Sequence, residues 1–418
     1  MPALADSMFI LADDLSGAAD CAVRAATAGL SSVVLFDADT HARADVVAVD
    51  ADTRELPASR ARAINAAQWA SRARPRRLFY KKIDSTLRGH FAEEMSALTD
   101  AGVAVVAPAF PAAGRTTREA RVLVRGVPLE DTETWVGAGM TGEADVVAML
   151  RGQGLEAQCV PLQAVRGDLR GELSRRVADG RIQALVCDAE IDEDLRAIAA
   201  ASVGLPVYWV GSAGLAAHLP AAAGIEAHAP LPVVDVVGPA LFVIGSFSSV
   251  SRGQAQALEE HAGPACFVAA PAMLQAGEAS ASWRAMRDAV RDALADGRDA
   301  VVRIGTQAGV LPGQGRALCT SLAALLAPAA PRVGALVATG GETARAVLGA
   351  FGVHGLRVVR EIEPGVPLSM ALAACANRFG SGLRPIPVVT KAGAFGSNDA
   401  LLNVHREIAG LRRRGQAA

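Results

Sequence analysis

Short runs of uninterrupted apolar residues recur along the chain, each ending in a polar turn and followed by a helix-forming stretch. Met8-Phe9-Ile10-Leu11-Ala12 ends in Asp13-Asp14-Leu15-Ser16-Gly17, and the helix formers of 18–28 follow, stopping at Gly29. A strand that is apolar on both faces must be covered on both, and intervening helices do this when the strands run parallel. The pattern predicts an α/β fold whose mainly parallel sheets are flanked by helices. It continues in strands at 32–36, 46–49, 78–82, 103–107, 157–161, 184–187 and 207–210, with a helix over 58–73. After the fourth of these runs, Leu87, Phe91, Met95 and Leu98 share one helical face, with Ser85 or Thr86 as the expected N-cap.

A chain of 418 residues is long enough for two domains. Residues 220–235 are rich in Ala, Pro and Gly and lack either periodicity, which predicts a linker between domains 1–230 and 236–418. A second alternation follows, with strands at 240–244, 300–304 and 334–338 and helices near Ser251, over 283–295 and around 318–326. In open parallel sheets ligands bind outside the carboxyl ends of the strands, so the polar turns there are the candidate sites.

The most charged of these turns is Lys81-Lys82-Ile83-Asp84-Ser85-Thr86-Leu87-Arg88-Gly89. Two ammonium groups, a carboxylate, hydroxyls and a guanidinium at one strand end are costly to assemble unless a polar ligand sits there, and the reading is a small acid. The chain has 41 Lys and Arg together, yet Lys stands only at 81, 82 and 391. Lysine is retained where a compact, flexible point charge is needed, so these positions are singled out, Lys81 against the plainer reading of a salt bridge. Asp13-Asp14 reads as a general base, a metal site or a charged N-cap pair. Two adjacent carboxylates repel, and Lys82, Arg88 or Arg115 is the expected counter-charge.

Three turns of the second half suit an anion. Gly340-Gly341-Glu342-Thr343 lies between a strand and a helix, either as a phosphate turn or as a tight connection with Thr343 near the N-cap. Gly245-Ser246-Phe247-Ser248 and Lys391 with Gly393 and Gly396 are the others, and together they point to a nucleotide polyphosphate. No Gly-Lys pair exists for a Walker A loop. Gly137-Ala138-Gly139-Met140-Thr141-Gly142 has the dinucleotide spacing, but the three acids within 129–136 make a poor buried strand before it, which disfavours a dehydrogenase.

A formal net charge of -2 and 4% aromatics offer neither a basic face nor a stacking platform, so neither nucleic acid nor an anionic membrane is an expected partner. Six widely spaced cysteines without a Cys-x-x-Cys pair indicate free thiols, and the seven histidines show no ligand spacing. With no membrane span or leader pattern, a cytoplasmic compartment is the expectation.

With these residues in view, the chain resembles the four-carbon acid sugar kinase family. The motifs that carry the likeness are Ala12-Asp13-Asp14-Leu15-Ser16-Gly17-Ala18, Lys82 to Gly89, Pro108-Ala109-Phe110-Pro111 with Gly114-Arg115-Thr116, Gly245 to Ser248, Gly340 to Thr343, and Lys391-Ala392-Gly393-Ala394-Phe395-Gly396. The resemblance implies an N-terminal acid-sugar-binding domain, a C-terminal ATP-binding domain with the active site in the cleft between them, and transfer of the γ-phosphoryl group to the terminal hydroxyl of the acid. Its threonate-type branch is the nearer in form, the 3-oxo-tetronate branch the alternative, and a sensor without turnover the rival from another class. Asp13, Lys82, Ser85, Arg88 and Arg115 are then expected to hold the acid, with Asp14 or Asp84 as base. Asp14 is preferred because Asp84 is the expected partner of Lys82. ATP contacts fall by position on Ser246 or Ser248, on Gly340, Gly341, Glu342 and Thr343, and on Gly393, with Lys391 and Mg²⁺ on the phosphates; a homodimer is left open. Ala19, His90 and Ala394 depart from the family's usual residues.

Overall fold

The computed structural model describes residues 5–36, 42–227, 233–245, 248–305, 315–373, 385–393 and 395–417. The chain divides into two compact units, Met1–Pro230 and Leu231–Ala418.

In the first unit the strands are β1 (Ser7–Ala12), β2 (Ser32–Leu35), β3 (Val46–Asp50), β4 (Arg77–Lys82), β5 (Val103–Ala107), β6 (Arg115–Arg118), β7 (Arg121–Val124), β8 (Val127–Pro128), β9 (Ala157–Val160), β10 (Ala184–Cys187) and β11 (Val207–Gly211). The helices are α1 (Leu15–Thr27), α2 (Ala58–Arg72), α3 (Phe91–Met95), α4 (Glu133–Gly137), α5 (Val146–Gly152), α6 (Leu162–Val165), α7 (Leu169–Ala178), α8 (Asp192–Ser202) and α9 (Ala213–Ala223). The main sheet has the order β2-β3-β1-β4-β11-β5-β10-β9, and every pairing in it is parallel. Its central strands are buried along almost their whole length, as their unbroken apolar runs require. The chain leaves β1 toward one edge and returns to β4 on the other side of β1, so the winding reverses at the β1/β4 boundary, where an open crevice forms at the strand ends.

The second unit contains β12 (Ala240–Ile244), β13 (Ala265–Ala269), β14 (Ala300–Ile304), β15 (Ala335–Thr339), β16 (Val353–Glu363), β17 (Val366–Ala373) and β18 (Pro387–Lys391). With them stand α10 (Ser249–Ala262), α11 (Pro271–Ala276), α12 (Ala281–Ala295), α13 (Gly315–Leu326), α14 (Gly341–Ala350) and α15 (Ala400–Ala417). The strands β13-β14-β12-β15-β18 run parallel, and the hairpin β16-β17 adds to β18 antiparallel. Phe242, Val301, Val337, Leu368 and Val389 of the sheet pack with Leu258 of α10 and Leu401, Val404 and Ile408 of α15 in one core. The first four strands repeat the winding of the first unit, and the reversal falls at β12/β15.

Several local expectations are corrected. Neither Ser85 nor Thr86 caps a helix: α3 begins only at Phe91, with His90 as its N-cap. Leu87 takes a left-handed backbone (φ 57°), costly for a residue with a Cβ, so 84–90 is a shaped turn rather than a helix start. Leu87, Phe91, Met95 and Leu98 are nonetheless all buried, which is why their spacing imitated one helix. Arg115 opens β6 of a small antiparallel sheet, β6-β7-β8, that the apolar-run pattern does not reveal. The predicted linker also starts late, since α9 continues through Pro220 to Ala223. Gly137 ends α4, so no strand precedes the dinucleotide-like spacing.

Candidate active site

In the first unit β3, β1 and β4 are parallel neighbours, and each runs into a charged turn. Asp14 is the N-cap of α1, its Oδ1 accepting from the Gly17 N–H at 2.9 Å. Asp13 is buried beside it. The cation between them is neither Lys82, Arg88 nor Arg115 but Arg54, from the turn after β3. Its Nε lies 2.8 Å from Asp13 Oδ2, and its Nη2 lies 3.0 Å from Asp13 Oδ1 and 2.9 Å from Asp14 Oδ1. Burial works to raise the Asp13 pKa, but Arg54, with Lys81 and Lys82 nearby, outweighs it and holds the carboxyl below its usual range. Both described bonds to Asp14 use Oδ1, which leaves Oδ2 for a ligand proton.

Lys82 reaches the first turn of α1, its Nζ donating to the Ile83 carbonyl at 2.8 Å. A Cβ at Gly17 would stand 2.7 Å from that nitrogen, so glycine is what lets the lysine lie there. Asp84 is not taken by Lys82. Arg88 holds it, Nε at 2.7 Å from Oδ2 and Nη2 at 3.2 Å from Oδ1, and the Thr86 hydroxyl adds a third donor. Burial opposes ionisation of Asp84, yet Arg88 and Arg54 keep its pKa far below the ordinary value. Ser85 stands half-buried at the same turn. Arg115 is within electrostatic reach of Asp84 and Arg88, burial lowers its pKa, and its buried Nε has no hydrogen-bond partner among the described residues. A half-buried guanidinium with an orphaned N–H is a natural seat for a ligand carboxylate. Lys81, on the opposite face of β4, is spent on Glu94 at 2.8 Å, so for this residue the salt-bridge reading is the right one.

In the second unit β12, β15 and β18 are parallel neighbours, so their turns emerge along one edge. Gly340 is the N-cap of α14, and its N–H donates to the Lys391 carbonyl at 2.8 Å. Gly341, Glu342 and Thr343 form the first helical turn, where N–H groups without intrahelical partners meet the positive end of the helix dipole. The Thr343 side chain points inward, Oγ1 3.3 Å from Cys319 Sγ, so what it offers an anion is its backbone N–H. This packing depends on Gly245, where a Cβ would come 2.0 Å from Thr343 Oγ1. Ser248 caps α10, accepting from the Val250 N–H at 3.2 Å. Ser246, with Phe247 and Ala394, lies outside the described residues.

Lys391 ends β18 and braces the loop that follows, its Nζ donating to the carbonyls of Ala392, Gly393 and Phe395 at 3.1, 3.0 and 3.0 Å. Ser251 Oγ donates to Gly393 O at 2.6 Å, and Gln254 Nε2 to Phe395 O and Ser397 O at 3.2 and 2.6 Å. Burial lowers the Lys391 pKa to about 8, against the pull of Glu363. Among the described residues no helix is long and apolar enough to cross a membrane, and no group of three or more His, Cys, Asp or Glu is placed to hold a metal ion by itself. The site residue that the sequence reading missed is Arg54, although it follows the strand at 46–49 in the same way that Asp13 and Asp84 follow theirs.

Two domain families match the chain, a sugar-binding N-terminal domain over residues 8–219 and a nucleotide-binding C-terminal domain over 241–401. A D-threonate kinase of Cupriavidus necator is 45% identical over 406 residues, covering 94% of this chain and 96% of that protein. A D-erythronate kinase of Heliobacterium modesticaldum is 29% identical, covering 94% and 95%. Among solved structures, a Salmonella typhimurium LT2 protein superposes with a TM-score of 0.80 at 21% identity, covering 96% of this chain and 99% of that one. At that identity the likeness concerns the fold alone.

Proposed function

Since the chain belongs to the four-carbon acid sugar kinase family, we propose that its acid is D-threonate and that the phosphoryl group goes to the C4 hydroxyl. It is a phosphotransferase that uses ATP to phosphorylate a four-carbon acid sugar. The identity of the acid is supported by the 45% identical D-threonate kinase and by the resemblance of the Lys82 to Gly89 turn to the threonate-type branch.

The observation that carries the site assignment is Arg115, a half-buried cation with an orphaned Nε beside the Lys82–Arg88 turn. It would hold the acid's carboxylate with Lys82 and Ser85, while Arg88 stays on Asp84 and fixes the turn. The terminal hydroxyl then lies toward Asp14. Its proton passes to Asp14 Oδ2 as the C4 oxygen bonds the γ-phosphorus and the bond from that phosphorus to the β–γ bridging oxygen breaks, releasing ADP. Arg54, locked on Asp14 Oδ1, keeps the carboxylate aimed; Asp84, held by two side chains, is the poorer base. The phosphates would sit on the N–H groups of Gly341 to Thr343 and Gly393, since that of Gly340 is spent on the Lys391 carbonyl, with the Lys391-braced loop against them. A Mg²⁺ ion would arrive on the nucleotide and keep most of its waters. When bound, that ion would neutralise charge on the transferring phosphates. On this reading 1–230 is the acid domain, 236–418 the ATP domain, and the enzyme works in the cytoplasm, where ATP is supplied.

The test is ADP release with Mg²⁺ and ATP over a panel of D- and L-threonate, D- and L-erythronate and 3-oxo-tetronate. D-Threonate is expected to stimulate release most. Stronger stimulation by another of these acids would replace the substrate, and stimulation by none would remove the four-carbon assignment.

A further inference from the structure

The first unit contains a buried ion pair that takes no part in the chemistry above. The side chains of Lys81 and Glu94 are 0% and 1% exposed, with Nζ 2.8 Å from Oε2. The other carboxylate oxygen of Glu94 accepts from the hydroxyl of Thr53, which is also fully buried. Removing two charges from water is expensive, and a well-packed apolar pair of the same volume holds a core at least as well. Stability alone is a weak reason for the pair, so its connections matter.

Those connections lead to the site. Successive residues of a strand point to opposite faces, so Lys82 lies under α1 while Lys81 meets Glu94 of α3. The backbone N–H groups of Thr53 and Arg54 both donate to the Asp13 carbonyl, at 3.0 and 3.2 Å. The Thr53 side chain is drawn the other way, to Glu94. The turn after β3 is thereby clamped between the end of β1 and α3, and Arg54 leaves that clamp with its guanidinium on Asp13 and Asp14. The Lys81 charge also favours ionised Asp13 from behind the sheet.

We infer that Lys81, Glu94 and Thr53 are positioning residues that set Arg54 against Asp13 and Asp14, and through them govern acid binding without touching the acid. This rests on the reading of that turn cluster as the acid site. A network that only cemented α3 to the sheet would act on stability and leave the two substrates' kinetics in proportion.

The experiment compares unsubstituted protein, Thr53→Val, Thr53→Ser and the double variant Lys81→Met/Glu94→Leu, in melting temperature and in KM for acid and for ATP. Thr53→Val keeps the side chain's shape and removes the hydroxyl. It is expected to raise the acid KM by about tenfold while the ATP KM stays within about twofold, since small misplacements at a site are felt strongly there. Thr53→Ser is expected to restore the acid KM. The double variant removes both charges together and leaves neither unpaired, and it should show the same acid-specific loss in a protein that still melts cooperatively. An unchanged acid KM in both Thr53→Val and the double variant, or an equal rise in both KM values, would overturn the inference. If the unsubstituted protein turned over no acid of the panel, the reading of the site would fall and this inference with it, an outcome visible before any variant is made.

Discussion

Asp14 and Asp84 are both carboxylates at the same crevice, and their partners separate them. Asp84 is held by Arg88 and Thr86, whereas Asp14 is fixed through Oδ1 alone. Asp14→Asn is therefore expected to lower kcat by about 10² to 10⁴, the usual worth of a positioned base; near-normal turnover would reassign the base. Lys391 gives a pH prediction. Its pKa is lowered to about 8, so above that pH the amine loses a proton and can no longer donate to three carbonyls as an ammonium does. kcat/KM for ATP should fall through a pKa near 8, a limb that Lys391→Met should remove. Between about 8 and the ordinary lysine value of 10.5 the unfolded chain holds a proton that the folded chain has released, so this group's contribution to stability rises with pH across that window. Loss of activity there would not be unfolding driven by this residue.

At the scale of elements, the meeting of β12 with the first turn of α14 is set by Gly245. Gly245→Ala would push a methyl into Thr343 and displace the phosphate turn, and it is expected to raise the ATP KM by about tenfold or more while the acid KM holds. Equal effects on both substrates would show general damage instead. Elements such as β1, β4, β12 and β15 were legible because strands buried on both faces write themselves as unbroken apolar runs. β6, β7 and β16 were not, since antiparallel strands with one wetter face, Arg115–Arg118 among them, break that pattern. The false helix start at Ser85 arose because burial spaced Leu87 and Phe91 as a helix would, while the turn between them is left-handed. Arg54 was missed for a different reason. Its partners lie 41 and 40 residues earlier in the chain, and only the parallel pairing of β3 with β1 brings them together.

For the molecule as a whole, each of the two compact units carries one set of candidate ligand groups. Ligands that bind only a folded unit stabilise that unit by mass action. Calorimetry is expected to show a transition raised by the acid and another raised by the nucleotide; a single transition raised alike by either ligand would contradict this separation. Where the phosphate goes is read from the product itself. After reaction of the protein with ATP, Mg²⁺ and D-threonate, the C4 and C3 carbons of the product are expected to show phosphorus coupling in its NMR spectrum and C2 none. Phosphorus coupling that reaches C2, or ADP accompanied only by inorganic phosphate, would contradict C4 as the acceptor.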